Sequence, residues 1–247
     1  MRLEPEISNL LKLYVESGAD ESYGDEPSDY LSTARPAAMA FAAELKAEEA
    51  VSIGEAAAMA RKSAGAANDI DELRAAIERF DLCPLKKFST STVAGHGVQK
   101  PVLLCISEIP NAVEDRTGEY PSGDTGELLL KILAAIGRSL ETDTFAMPLA
   151  PWRPAGGRSP TAEEISVCAP FAARAIELLK PSAILAFGSA PAAFLSGGDE
   201  PLTQIRGNWI EYNGIPVMPT FPLSMLLMNR EAKKKTWEDV QKLNQKT

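Results

Sequence analysis

Among the residue types that do chemistry, this 247-residue chain has one histidine and three cysteines beside 34 carboxylates, and the placing of a few of these is informative. The carboxylate Glu108 comes two positions after the apolar run Val102-Leu103-Leu104-Cys105-Ile106. Such a group accepts protons and orients water, or it satisfies loop N–H groups beside a strand end. Glu114 and Asp115, followed by Arg116 and Gly118, read as a solvated acidic turn. His96, the single histidine, sits in the turn-like stretch Gly95-His96-Gly97 and reads as a loop residue. With one histidine, no two-histidine metal site can be built, and a Ser-His-Asp triad would have to use His96. Cys83, Cys105 and Cys168 are too few for a disulfide framework. Cys105 lies within an apolar run and reads as a small core residue. No metal site is expected.

The elements that must position these residues follow from the apolar pattern. The first 70 residues read as a helical extension: one helix around Leu10, Leu11, Leu13, Tyr14 and Val15, then an alanine-rich helix over 37–50. Ser52 and Glu55 have capping-box spacing, and Leu73, Ile77 and Phe80 share a helical face. Residues 71–247 read as an α/β domain. Strands are expected at 102–106, 144–149 and 183–187, with helices at 126–140 and 161–179. Asn213-Gly214 between two apolar runs signals a hairpin. A fourth core strand runs into Thr220-Phe221, and a helix over 226–246 closes the chain. Strands alternating with helices imply a three-layer α/β/α sandwich with a mainly parallel central sheet. Ligands of such sheets sit at the carboxyl ends of the strands, which selects the loops 107–123, 150–157, 188–190 and 222–225.

Hydrophobic residues make up 45% of the chain, enough for a full core. No apolar run approaches the length of a membrane span, and the N-terminus lacks the apolar core of a secretory signal. Together with the cysteine count, this suggests a cytoplasmic protein without a membrane partner. The formal charge of -9 argues against tight non-specific DNA binding but not against a local basic strip.

Several segments in this order resemble the family-4 branch of the uracil-DNA glycosylases. Ser107-Glu108-Ile109-Pro110-Asn111, with Glu114-Asp115, Gly118, Gly123 and Gly126-Glu127-Leu128-Leu129 downstream, is similar to that family's first motif. Pro151-Trp152-Arg153-Pro154 with Gly157-Arg158 and Ile205-Arg206-Gly207-Asn208-Trp209 extend the likeness over about residues 70–245. The resemblance implies the glycosylase-like fold, cleavage of the N-glycosidic bond of a flipped-out base, and DNA as a partner. It places Ile109, Pro110, Asn111, Tyr120, Pro121, Pro148 and Pro222 around the base pocket, and it makes Glu108 the candidate for positioning the attacking water.

The departures from the family pattern are severe. Its stacking Phe aligns with Pro121, its base-reading Asn with Pro148, and its charge-stabilising His with Pro222 in Pro222-Leu223-Ser224. Proline offers neither a side-chain donor nor a backbone N–H. A lost bidentate reader costs discrimination of about 1–3 kcal/mol. A lost charge-stabilising donor raises the barrier by about 3–4 kcal/mol. Tyr120 offers a ring and a hydroxyl as a partial substitute. The family's four-iron cluster uses four cysteines, and these positions align here with Phe80, Cys83, Trp152 and Cys168. Two thiols are too few for it, so no cofactor is expected.

The candidate DNA-contacting residues are Ser189, Arg206, Leu223 as a wedge, Ser224, and the basic group Arg230, Lys233, Lys234 and Lys235. Three readings remain: a catalytically degenerate relative that binds DNA or a repair protein, an active glycosylase with altered pocket residues, and a protein-interaction scaffold without a nucleic-acid role.

Overall fold

The computed structural model describes residues 51–198 and 200–246, so the expected helices of the first 50 residues lie outside the described residues. The described part belongs to one compact unit that starts at Val51. It opens with α1 (Ile53–Gly65) and α2 (Ile70–Arg79). Ser52 accepts from the Glu55 N–H, and the Glu55 carboxylate accepts from the Ser52 N–H, closing the predicted capping box. Asp69 caps α2 through the Glu72 N–H at 2.8 Å.

The sheet contains β1 (His96–Gly97), β2 (Leu103–Ser107), β3 (Thr144–Pro148), β4 (Ala183–Phe187), β5 (Ile210–Tyr212) and β6 (Ile215–Thr220), in the spatial order β1-β3-β2-β4-β6-β5. The four inner strands are parallel, and the edges β1 and β5 pair antiparallel. Strands β2, β3 and β4 are buried at every position, which explains their unbroken apolar runs. Alternation divides them between two cores. Leu104, Ile106, Phe145, Met147, Ile184 and Ala186 face α1, α2 and α5 (Ala162–Leu179). Leu103, Cys105, Ala146, Leu185 and Phe187 face α4 (Gly123–Ala135), α8 (Leu223–Met228) and α9 (Arg230–Lys246). These are the three expected layers. Short helices α3 (Ala112–Thr117), α6 (Ser189–Ser196) and α7 (Leu202–Ile205) complete the connections.

Asn213 and Gly214 both have positive φ, as the predicted two-residue hairpin between β5 and β6 requires. His96 is not in a loop. It is exposed on the edge strand β1, opposite Ala146. The expected single closing helix is two helices. Asn229 (φ -122°, ψ 109°) leaves helical geometry, and its Oδ1 accepts from the Ala232 N–H at 2.9 Å, so it ends α8 and caps α9.

Candidate active site

A cleft of about 330 Å³ opens where β2, β4 and β6 end. It is lined by the first loop from Ser107 to Gly126, by Arg153, Gly157 and Ser159 of the second, by Phe187, and by Pro222, Leu223 and Ser224. This is the strand edge where the sequence places a ligand site.

Glu108 lies half-buried on the cleft wall, directly after β2. Its Oε1 accepts from the Ala190 N–H at 3.1 Å, in the first turn of α6. The residue before that turn, Gly188, has no side chain to cap the helix. Its φ is 106°, and a Cβ there would lie 2.5 Å from the Glu108 carboxyl carbon. The carboxylate of Glu108 fills this space and meets the positive end of the helix.

The loop after Glu108 is tied down from within. Asn111 Oδ1 accepts from the Val113 and Glu114 N–H groups, and its Nδ2 donates to Ser122 O and Thr125 Oγ1. Its side chain is thus occupied in holding the loop that borders the cleft. Glu114 is not solvated, as the sequence suggested. It is buried and accepts from the Asn111 and Ser122 N–H groups at 2.7 and 3.1 Å. Burial pushes its carboxyl above the usual range despite those bonds. Asp115 accepts from the Thr90 N–H at 3.0 Å.

Tyr120 lines the cleft but is packed into the core, with its hydroxyl 2.9 Å from Ser107 Oγ. Burial raises its pKa, so the phenol stays protonated. Pro121 packs on Gly126, where a Cβ would lie 2.7 Å from the Pro121 carbonyl carbon. Pro110 offers its carbonyl to Arg153 Nη1 at 2.9 Å, and the Arg153 guanidinium lies flush against Gly157. Ile109 and Pro222 also face the cleft. Pro148 is buried at the end of β3, in register with Ser107, and the cleft lining does not include it.

Comparison of the sequence with known proteins gives the family. The model of the Uracil DNA glycosylase superfamily matches residues 94–242. The chain belongs to that superfamily. It is 34% identical over 170 residues to a type-4 uracil-DNA glycosylase of Thermotoga maritima, covering 67% of this chain and 88% of that protein. The type-4 enzyme of Pyrobaculum aerophilum is 34% identical over 127 residues, 51% of this chain and 64% of its own length. That of Saccharolobus solfataricus is 28% identical over 186 residues, 72% and 86% of the two chains.

The four positions that the family-4 resemblance matches to cluster cysteines fall in one core cluster. Cys83 and Cys168 are buried with their sulfurs 3.7 Å apart. Phe80 and Trp152 stack with ring centroids 6.4 Å apart, and both meet Phe171 edge-on. Two thiols and two aromatic rings do not make a four-thiolate set, because Phe and Trp side chains have no group that binds iron.

The candidate DNA-contacting residues lie on α6, α8 and α9 and at Arg206 after α7. Ser189 is exposed at the start of α6, and Ser224 is exposed on the cleft rim. Leu223 is 7% exposed and packs in the core, whereas Met225, Leu227 and Met228 are the exposed apolar residues of α8, Met228 at 93%. The unusual density of apolar residues in Leu223-Ser224-Met225-Leu226-Leu227-Met228 was the signal for them, because one short helix cannot bury all of its faces. Arg206 bonds Asp239 through Nε and Nη2 and lies over the Phe221 ring, 5.2 Å from its centroid. Arg230, Lys233, Lys234 and Lys235 are exposed on α9.

Proposed function

We propose that this superfamily member binds DNA at its cleft and α9 while excising uracil weakly or not at all. One observation carries the reading. The position aligned with the charge-stabilising His is Pro222, which borders the cleft and has no hydrogen to donate. Expulsion of a uracil anion needs a donor aimed at the developing charge, and its loss costs about a hundred- to a thousand-fold in rate. Two further features support it. The Glu108 carboxylate has a standing bond to the Ala190 N–H, and the Tyr120 hydroxyl is engaged by Ser107.

A second reading, an active glycosylase for another damaged base, has one observation in its favour: Glu108 still borders a cleft of about 330 Å³. Uracil-containing single- and double-stranded oligonucleotides distinguish the two. The expected outcome is retention in an electrophoretic binding assay without strand cleavage after alkali, and a gain of excision in Pro222→His. Turnover on the order of 1 per second in the unaltered protein, lost in Glu108→Ala, would establish an active enzyme instead.

A further inference from the structure

We propose that Cys83 and Cys168 are an oxidisable dithiol that hydrogen peroxide converts to a disulfide. Their sulfurs lie in contact at 3.7 Å although 85 positions separate them in the chain. A disulfide needs the sulfurs about 1.7 Å closer, with S–S near 2.05 Å. Of the two residues, Cys83 is the less constrained and is the one that must move. Cys168 is held in the middle of α5, while Cys83 lies in extended backbone (φ -80°, ψ 124°) at the entry to the 3-10 turn Pro84–Phe88. A modest torsion change at Cys83 moves its sulfur without disturbing a helix. The pair is also isolated from the third thiol. Cys83 and Cys168 belong to the core on one face of the sheet, and Cys105 belongs to the core on the other. The neighbouring rings of Phe80, Trp152 and Phe171 offer no competing nucleophile.

The chemistry balances with peroxide as the two-electron oxidant. The thiolate of one cysteine attacks a peroxide oxygen, the O–O bond breaks, and hydroxide leaves, giving a sulfenic acid. The second thiolate attacks that sulfur, the S–O bond breaks, and hydroxide leaves again. The two thiol protons and the two hydroxides become water, so two thiols and one peroxide give one disulfide and two waters. The new bond would fasten the Pro84–Phe88 turn to α5. That turn leads to Thr90, whose N–H donates to Asp115 in α3 beside the cleft, so the clamp bears on one wall of the site.

The test uses the full reduced chain. It is treated with hydrogen peroxide, quenched with catalase, unfolded in the presence of iodoacetamide, and mapped by mass spectrometry. The expected result is a loss of about 2 Da before alkylation, a peptide joining Cys83 to Cys168, and a single alkylated cysteine, Cys105. Tm should rise on the order of 10 °C on oxidation and return with dithiothreitol, because the bond closes a long loop. A Cys105→Ala variant should give the same link. Full alkylation of Cys83 and Cys168 after peroxide, their oxidation to sulfinic acids without a link, or equal pairing with Cys105 would each overturn the proposal. So would a link that forms as readily in the guanidine-unfolded chain.

Discussion

The Glu108 carboxylate occupies the space that any side chain at Gly188 would fill, and it accepts there from the Ala190 N–H at 3.1 Å. This cleft-lining carboxylate therefore also caps α6. Removal of the carboxylate in Glu108→Ala should cost about 1 kcal/mol of stability, as for other helix caps. Gly188→Ala should cost more, about 2 kcal/mol, from its φ of 106° and the clash with Glu108. The double variant should lose less than the sum, because the shorter side chain removes the clash. Urea midpoints of the four proteins decide this, and strict additivity would mean that the two residues do not share the space.

A second prediction concerns the α9 anchor. Asp239 is 0% exposed, accepts from Arg206 and from Thr220 Oγ1 at 2.8 Å, and lies against Gly207. Asp239→Ala leaves the mostly buried guanidinium of Arg206 without its counter-charge and should cost about 3–5 kcal/mol. Thermal unfolding measures it. A loss under about 1 kcal/mol, the range of exposed pairs, would indicate that Arg206 turns out to water at little cost.

The pH dependence of stability should show two opposing contributions from two capping-box glutamates. The Arg158 guanidinium, 2.6 Å from Glu164, is the largest cause holding that carboxyl below the usual range. Its stabilisation is complete above the ordinary carboxylate pKa and is lost as pH falls through the depressed one. Glu114 is raised by burial, so its contribution is present below the ordinary value and is lost as pH rises through the raised one. Glu164→Gln should flatten the acid limb of a stability–pH curve, while the acid limb of Glu114→Gln keeps its slope. Identical acid limbs in Glu164→Gln and the unaltered protein would refute the assignment.

Much of this fold was legible because it is encoded locally. The apolar run at 102–106, the Asn213-Gly214 turn and the Thr161–Glu164 capping box each specify an element within a few residues, and each forms as read. What escaped depends on distance. The Arg206–Asp239 pair joins residues 33 positions apart, and no local pattern announces it. Glu114 looks solvated in sequence, yet the Ser122 N–H, eight residues on, draws it inside. At Asn229 the signal was present but ambiguous: one asparagine amid helix formers reads as tolerated until its side chain is seen to cap α9.

The last prediction tests the exposed cations in the first two turns of α9. Arg230, Lys233, Lys234 and Lys235 are exposed close behind the exposed apolar residues Met225, Leu227 and Met228 of α8. Cations there can neutralise phosphates in spite of a formal charge of -9, because salt screens distant charges beyond about 8–10 Å. Apolar side chains beside them suit contact with unstacked bases. Removing one lysine that neutralises a phosphate should lower the slope of log affinity against log salt by about one. The measurement is a set of DNA titrations at several salt concentrations with Lys233, Lys234 and Lys235 all changed to Ala. The expected outcome is weaker binding and a slope reduced by about two to three. These side chains point outward on a helix held by Val240 and Leu243, so the triple variant should fold normally. Unchanged affinity and slope would remove α9 from the DNA surface and favour a protein partner for these cations.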